Sequence, residues 1–263
     1  MWQAIKIPVK RVVKIAINKV LAPLGYTIRH RGDFDPLEML FYRYLHDDFF
    51  FVQVGANDGV TRDPIFRLVT ETNVRGLVIE PIPDYFTKLT RAYQSHPNVT
   101  AVNKAIHATE KEVTMYRADP SISDASGIAS LDPNHHRRSG VPDAAIIPQV
   151  VPAISFEELV EHYGVTHIDL LQIDAEGYDF EIIRMAAKFR PKLIHFEHGM
   201  PSEIMTIKTF LDCAHYLLER GYLLVVQHYD AIAYLPPDRF NDFETSEHID
   251  LILRHRSTLT DPF

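Results

Sequence analysis

From about residue 49 onward, short apolar runs alternate with polar stretches of helical length. This alternation is typical of strand–helix units, in which each helix crosses over to bring the next strand parallel to the last. The sequence therefore predicts an α/β fold with a mostly parallel sheet. The predicted strands cover residues 49–54, 76–80, 99–103, 168–174, 192–197, 222–226 and 232–235.

Helices are predicted between these strands. Ser155 and Glu158 have the spacing of a capping box, in which each side chain accepts a hydrogen bond from the other residue's amide, so a further helix should begin there. Gly221 suits the end of the last helix. The other predicted helices cover residues 63–72, 84–95, 177–189 and about 203–220.

Residues 117–153 interrupt this rhythm. The segment contains five prolines, and proline lacks the amide that a helix or a central strand needs. We predict a long loop that serves as a lid or acceptor-binding loop. Its tip is interpreted as a solvated charge run, with recognition of an anionic acceptor as the alternative. The tip reads His135-His136-Arg137-Arg138.

Charge is unevenly distributed along the chain, whose formal net charge is −8. Residues 1–32 carry seven Lys or Arg and no acidic residue, so the remainder is strongly acidic. A body of that charge repels polyanions, and nucleic-acid binding is not expected. The single cysteine, Cys213, excludes an internal disulfide framework and fits a reducing compartment, so we predict a cytoplasmic protein.

The basic extension, residues 1–32, is predicted to be distinct from one domain over 33–263. Within residues 1–24, apolar and basic side chains fall on opposite faces of a helix, which indicates an amphipathic helix. It either docks on the domain or makes a peripheral contact with an anionic membrane surface. Basic residues interrupt its apolar runs, so neither a signal peptide nor a membrane span is expected.

A glycine-containing loop follows the first predicted strand. Glycines there allow a sharp turn and the close approach of a ligand, and amides at a helix start offer donors. Glu80 ends the second predicted strand, where an acid can accept hydrogen bonds from both ribose hydroxyls of a nucleoside. The alternative, a plain surface carboxylate, is disfavoured by Pro81 and Pro83, which fix the chain direction. The loop reads Val54-Gly55-Ala56-Asn57-Asp58-Gly59.

The same pair of features can hold a nicotinamide dinucleotide or S-adenosylmethionine. Dinucleotide loops need a middle glycine to make room for a pyrophosphate, and this chain has Asn57 there with Asp58 beside it. We therefore predict S-adenosylmethionine, which has no phosphate. A nicotinamide-dependent oxidoreductase and a non-catalytic module of the same fold remain as alternatives.

Carboxylates follow the fourth and fifth predicted strands, where open α/β sheets have their ligand crevice. Asp174 and Glu176 are candidates for a general base, metal ligands or a clamp on a cofactor ammonium, while Glu176 can alternatively cap the next helix. After the fifth strand, at least one of Glu197 and His198 should face the crevice, because successive side chains of a strand point to opposite faces.

These motifs, in this order and spacing over roughly residues 45–200, resemble the FkbM family of methyltransferases. The resemblance implies a Rossmann-like class I methyltransferase fold with a mostly parallel seven-stranded sheet and helices on both faces, and a sugar, glycan or polyketide-type hydroxyl as the methyl acceptor. The motifs are Val54 to Gly59, Val78-Ile79-Glu80-Pro81, Val102-Asn103-Lys104-Ala105-Ile106, Val113-Thr114-Met115-Tyr116 and Ile168 to Tyr178.

The resemblance also assigns roles by position. Asp174 and Glu176 fall on the family's Asp-x-Glu-Gly motif, and Gln53 stands where many members have Asp, a charge that is absent here or supplied by Asp58. The residues implied to bind the cofactor are Gly55, Ala56, Asn57 and Gly59 at the methionine part, Glu80 followed by Pro81 at the ribose, and Asn103, Lys104 and Ala105 at the adenine.

Methyl transfer is an in-line displacement, so the protein must position the acceptor oxygen and remove its proton. We hypothesise that Asp174 or His198 is the base. In the alternative, Asp174 and Glu197 hold a divalent cation that acidifies the hydroxyl. The sequence leaves these two mechanisms open.

Overall fold

The computed structural model describes residues 35–119, 121–122, 128–138, 140–200 and 203–236. The predicted N-terminal extension and its amphipathic helix therefore lie outside the described residues. Among the helices that are described, none is long and apolar enough to cross a membrane.

The strands agree with the predicted alternation and add a second group in the middle of the chain. In chain order they are β1 (Phe50–Val54), β2 (Arg75–Ile79), β3 (Val99–Val102), β4 (Ala105–Ile106), β5 (Glu112–Ala118), β6 (Ala129–Ser130), β7 (Ile146–Ile154), β8 (Leu170–Ile173), β9 (Leu193–Glu197), β10 (Leu223–Val226) and β11 (Asp230–Tyr234).

The predicted helices are present close to their predicted positions, and the capping box of Ser155 and Glu158 is formed. Two described helices, at Pro36–Tyr44 and His135–Arg138, were not predicted. In chain order the helices are α1 (Pro36–Tyr44), α2 (Phe66–Thr72), α3 (Pro83–Ala92), α4 (His135–Arg138), α5 (Phe156–His162), α6 (Asp179–Ala186) and α7 (Ile207–Leu218), with 3-10 turns at Asp143–Ala145 and Ala187–Phe189.

The central sheet has seven strands in the order β10-β11-β9-β8-β1-β2-β3. All neighbouring pairs from β9 to β3 are parallel, and β11 runs antiparallel to both β9 and β10. The predicted mostly parallel, seven-stranded fold is confirmed. The strands that follow β1 in the chain are added first on one side of it, as β2 and β3, and later on the other side, as β8 and β9. In open α/β sheets a crevice forms at such a switch point, beyond the carboxyl ends of the strands.

Helices cover both faces of this sheet. Alternate residues of β1 point to opposite faces, so Val52 packs in one apolar cluster and Phe51 in the other, both fully buried. The first cluster includes Leu159 of α5, Ile182 of α6 and Leu217 of α7. The second includes Phe41 of α1, Val69 of α2 and Leu89 of α3.

The prediction of one long loop over 117–153 is wrong. The strands β6 and β7 of a second sheet, which has the order β4-β7-β5-β6, fall in that range, and β7 pairs antiparallel with β5. The Ala153 amide donates to the carbonyl of Lys111, so the amides of every second residue of β7, counted from Ala153, point toward β5. Pro148 and Pro152 occupy the positions between these residues. Their missing amides would point away from β5, so these prolines are compatible with the strand.

Candidate active site

A row of polar residues crosses the carboxyl edge of the central sheet. The carboxyl ends of four adjacent strands are in register, with Val54 opposite both Ile79 and Ile173, and Ile173 opposite Phe196. The residues that follow these positions therefore lie side by side along the crevice. In spatial order they are Glu80, Gly55, Asp174 and Glu197, and Asp230 of β11 pairs directly with Glu197.

Gly55 has a structural role at this edge. Its φ is +78°, and a Cβ there would lie 1.8 Å from the Asp174 carbonyl oxygen, so no other residue fits between the two chain segments. The amides of Gly55 and Ala56 both donate to the Ile79 carbonyl at 3.0 Å. The glycine thus lets the loop close against β8, which brings Asp174 beside the loop.

The rest of the loop turns tightly toward α2. Gly59 has a φ of +76° and donates its amide to the Ala56 carbonyl at 2.8 Å. The Asp58 carboxylate accepts from the amides of Val60 at 3.0 Å and Thr61 at 2.7 Å, and also from the Thr61 hydroxyl. Asp58 therefore stabilises the turn. These hydrogen bonds lie within the turn and give no support to the alternative that Asp58 supplies the charge that is missing at Gln53.

Gln53 contacts a different acid. Its Nε2 donates to Asp63 Oδ2 at 2.8 Å, and Asp63 Oδ1 accepts from the amides of Ile65 and Phe66, at 2.8 and 2.7 Å, where α2 begins. Burial raises the pKa of Asp63. Asp63 was not predicted as a residue of the site, although an Asp at the start of a predicted helix is a recognisable capping signal.

Glu80 is buried, with its two oxygens bridging two chain segments. Oε2 accepts from the Asn57 amide at 2.9 Å, and Oε1 accepts from the Ile82 amide at 2.8 Å. Burial raises the pKa of Glu80 to about 7 in spite of these two hydrogen bonds. Each carboxylate oxygen can accept a second hydrogen bond, so Glu80 retains the capacity to bind ribose hydroxyls.

The three residues predicted at the adenine are separated by the structure. Asn103 Nδ2 donates to the carbonyls of Glu80 and Pro81, at 2.8 and 3.1 Å, and so braces the turn after β2. Ala105 is buried in β4 of the second sheet. Lys104 lines an open cavity of about 440 Å³ whose lining includes neither the loop, Glu80 nor Asp174.

Three carboxylates converge in the crevice. One oxygen from each of Asp174, Glu176 and Glu197 lies within 4.8 Å of the others. Asp174 is open to solvent on one side but closely surrounded elsewhere, and this desolvation, followed by the charges of Glu176 and Glu197, raises its pKa well above the usual range. Burial and then the charge of Glu176 raise the pKa of Glu197 to about 8. Glu197 therefore retains its proton at neutral pH.

Two further acids support this cluster and were missed from the sequence. Asp179 is fully buried and accepts from the amides of Ala175 and Gly177 at 3.3 Å each. It thus orders the turn before α6, the role considered as an alternative for Glu176. Burial, followed by the charge of Glu176, raises the pKa of Asp179 to about 7. Asp230 reaches the site only through pairing of β11 with β9, which no local pattern reveals.

His198 is less suited to act as a base than Asp174. Its ring is buried, the Met200 amide donates to Nδ1 at 3.2 Å, and Nε2 lies 3.2 Å from the Gln227 carbonyl. A carbonyl only accepts, so Nε2 carries the proton and Nδ1 is the occupied acceptor. Accepting a proton from a substrate would break the bond to Met200.

The predicted solvated charge run at 135–138 is wrong for its histidines. His135 and His136 are buried, 3% and 1% exposed, and His136 Nε2 lies 2.8 Å from the Tyr116 carbonyl. The arginines pair locally, Arg137 with Asp143 at 2.7 Å and Arg138 with Asp132 at 2.8 Å. His135 points toward Glu176, so this segment contacts the crevice through its first residue, while Arg137 and Arg138 remain exposed.

The strand order, the single reversed strand and the crevice at β1 define a class I methyltransferase fold. The family model described as the methyltransferase FkbM domain matches residues 53–224, more than half of the chain. The chain therefore belongs to the FkbM family and is an S-adenosylmethionine-dependent methyltransferase. The predicted family is confirmed, and the nicotinamide-dependent alternative is set aside. No curated protein matches the sequence.

Several solved structures are similar to the chain at low identity. The methyltransferase FkbM from Methylobacillus flagellatus KT is 13% identical, with 86% of this chain and 60% of that chain covered and a TM-score of 0.45. Precorrin-6y C5,15-methyltransferase from Geobacter metallireducens GS-15 is 13% identical, with 80% of this chain and 94% of that chain covered and a TM-score of 0.41. Fibrillarin from Aeropyrum pernix, with natively bound S-adenosyl-L-methionine, is 13% identical, with 73% of this chain and 67% of that chain covered and a TM-score of 0.38.

The polar side chains of the crevice fit this cofactor. Glu80 offers acceptors for ribose hydroxyls, and the carboxylates along the sheet edge suit a ligand that carries a sulfonium and an ammonium. A pyrophosphate would meet those negative charges instead.

Proposed function

We propose that this methyltransferase modifies a hydroxyl group of a sugar, glycan or related natural product. The observation that carries the proposal is the cluster of Asp174, Glu176 and Glu197, in which the pKa values of Asp174 and Glu197 are raised where the acceptor must lose a proton. The acceptor class follows the family resemblance, and the clustered carboxylates support a hydroxyl as the reacting group.

The bound cofactor supplies a methyl group on a sulfonium, which leaves as a neutral thioether. The chain must hold the acceptor oxygen in line and accept its proton. Asp174 is the candidate base because it lies at the centre of the polar row, between Gly55 and Glu197. A base is most effective when its pKa is near the working pH, and burial together with neighbouring charges moves Asp174 in that direction.

The same charges favour a hydroxyl over an amine. An aliphatic amine is protonated at neutral pH, and nearby carboxylates stabilise this ammonium form, which has no lone pair to receive a methyl group. A hydroxyl carries no charge and only needs its proton removed. The crevice is therefore better suited to O-methylation than to N-methylation.

A divalent cation is the second candidate device for removing the proton. Oxygen ligands suit Mg²⁺ and Ca²⁺, and Asp174, Glu176 and Glu197 offer one oxygen each within 4.8 Å of one another. A cation there would relieve the repulsion among these groups and lower the pKa of a bound hydroxyl. Asp174 is central to both versions.

An acceptor screen tests the proposal. The wild-type protein is incubated with isotopically labelled S-adenosylmethionine and paired acceptors that differ only in bearing a hydroxyl or an amine, drawn from monosaccharides, oligosaccharides and polyketide-type compounds. Transfer is expected to the hydroxyl member, with a methyl ether identified by NMR. Transfer to nitrogen or carbon would contradict the proposal.

The same assay separates the two devices. Exhaustive chelation followed by return of Mg²⁺ should abolish and restore activity if a cation acts, and should change nothing if Asp174 acts alone as the base. Binding of adenosylhomocysteine, measured in parallel, shows whether chelation has affected the cofactor site instead.

A further inference from the structure

His135 lies in the middle segment of the chain but contacts the crevice. It begins the short helix α4, its side chain is 3% exposed, and its Nε2 lies 3.2 Å from Glu176 Oε2. Its other ring nitrogen, Nδ1, is buried and makes no hydrogen bond to any described residue. Glu176 is therefore the charged side chain that this ring faces, at ion-pair distance.

The position of the proton in this contact follows from the chemistry of the pair. An ionised carboxylate can only accept, so the proton between the two groups belongs to His135 Nε2. In the neutral ring, Nδ1 is then the unprotonated nitrogen, which agrees with its lack of an acceptor. The pair fixes both the tautomer of His135 and the orientation of the Glu176 carboxylate.

Glu176 needs such an anchor. Its backbone has a φ of +50°, uncommon for a residue with a side chain, and its carboxylate lies beside that of Asp174, which repels it. Ser130 Oγ donates to the Glu176 carbonyl at 2.9 Å, so the segment from β6 to α4 holds Glu176 at its backbone and at its side chain. These two contacts oppose the repulsion.

The segment is itself fixed to the second sheet. His136 Nε2 bonds to the Tyr116 carbonyl in β5, and Arg138 pairs with Asp132 on the same segment. His135 and His136 are thus two adjacent, equally buried histidines with different partners. One contacts the crevice carboxylate, and the other contacts the backbone of β5 and packs edge-on against the His135 ring.

We propose that His135 is a positioning residue for methyl transfer, which holds the Glu176 carboxylate in place beside Asp174. The inference rests on the proposed function in one respect, namely that the acceptor loses its proton among these carboxylates. His135 acts through Glu176 and not by touching the acceptor, because its free nitrogen is buried.

The two amide side chains provide a matched pair of variants. In His135→Gln the amide nitrogen reaches about as far as Nε2 and can still donate to Glu176, whereas in His135→Asn it corresponds to Nδ1 and cannot. His135→Asn should lower kcat by about 10- to 100-fold with the KM for the cofactor nearly unchanged, and His135→Gln should recover most of the loss. His136→Asn is the control for burial, and it should lower Tm with little effect on kcat.

A spectroscopic measurement makes the test independent of turnover. NMR of protein labelled with ¹⁵N-histidine reports the tautomer of each ring, and the His135 signal is assigned by its loss in His135→Gln. The expected result is the Nε2-protonated form in wild type and a changed signal in Glu176→Gln. A ring protonated at Nδ1, or a signal that ignores Glu176→Gln, would overturn the pairing.

The combined outcomes distinguish the two proposals. If the tautomer is as expected but His135→Asn keeps wild-type kcat, or loses no more than His136→Asn, the positioning role is wrong. If the tautomer is as expected but labelled methyl groups go to an amine, the proposed hydroxyl acceptor is wrong. The ratio of kcat between His135→Gln and His135→Asn then still tests the positioning role of His135.

Discussion

Asp169 and Asp174 flank the same short strand, β8, yet their surroundings are opposite. Asp169, at the amino end, is buried among donors, with Lys192 Nζ at 2.7 Å, the Phe50 amide at 2.9 Å and His46 Nε2 at 3.1 Å. Burial alone would raise its pKa, but these contacts outweigh burial and lower it. Asp174, at the carboxyl end, faces other carboxylates, and its pKa is raised.

The contrast separates a structural carboxylate from a functional one. Donors around Asp169 tie β8 to β1 and to the start of β9, and the paired charge stabilises the folded state. The like charges around Asp174 are unfavourable for folding, and groups with such perturbed pKa values concentrate at functional sites. Four predictions follow from this difference.

The largest expected effect is on activity at the carboxyl end. Asp174→Asn should reduce kcat by about 100- to 10,000-fold, because the base or the cation ligand is lost, and should leave adenosylhomocysteine binding within a few fold. The measurement is methyl transfer at saturating cofactor, with Asp212→Asn, an exposed residue paired with Lys208, as the control. Wild-type turnover in Asp174→Asn would remove Asp174 from the mechanism.

The next effect tests why Asp174 can lie beside the loop at all. Gly55→Ala should lower the free energy of unfolding by about 3 kcal/mol or more, because its Cβ would overlap the Asp174 carbonyl. Gly140→Ala has nearly the same φ, +77°, with no atom within 4 Å of the added Cβ, so it should cost about 1–2 kcal/mol. Equal losses in urea denaturation would show that the close approach is not limiting.

Asp169→Asn should destabilise the protein by about 2 kcal/mol, because a buried charge that three donors satisfy is removed. Catalysis per folded molecule should remain close to wild type. The comparison is chemical denaturation alongside Asp212→Asn, whose exposed pair should matter by less than about 0.5 kcal/mol. A similar loss in the two variants would place Asp169 among ordinary surface acids.

The smallest effects are pH slopes of opposite sign. Glu80, at the carboxyl end, has a folded pKa of about 7 against an ordinary value of 4.5, so its favourable contribution is complete below pH 4.5 and is lost as pH rises to 7. Asp169 has a lowered pKa, so its contribution is complete above its ordinary value of 3.8 and is lost as pH falls below it.

Denaturation across pH should therefore show two trends. The stability deficit of Glu80→Gln relative to wild type should shrink between pH 4.5 and 7, while the deficit of Asp169→Asn should shrink below pH 4. Slopes of the same sign would mean that the two ends of the sheet do not differ electrostatically as described.

Local patterns in the sequence were sufficient to predict the central sheet but not the second one. Runs such as Phe49 to Val54 are apolar because both faces are covered, and that signal is contained in a few residues. The strand β7 was missed because Pro148 and Pro152 read as breakers, and only the pairing with β5 shows that their missing amides face outward.

The site follows the same division. Asp174, Glu176 and Glu197 could be predicted because each follows a strand, and parallel strands share a carboxyl edge. Asp230 and His135 could not, because one arrives through an antiparallel partner strand and the other through a segment about 40 residues earlier in the chain. The signals that place them are long-range contacts that no local spacing contains.

The central claim is that S-adenosylmethionine binds at the carboxyl edge of the sheet beside Glu80 and Asp174. The most direct test is the rise in Tm caused by adenosylhomocysteine in wild type and in Glu80→Gln, each referred to its own unliganded Tm. A clear rise is expected in wild type, and most of it should be lost in Glu80→Gln. No rise in wild type, or an equal rise in both proteins, would contradict this claim.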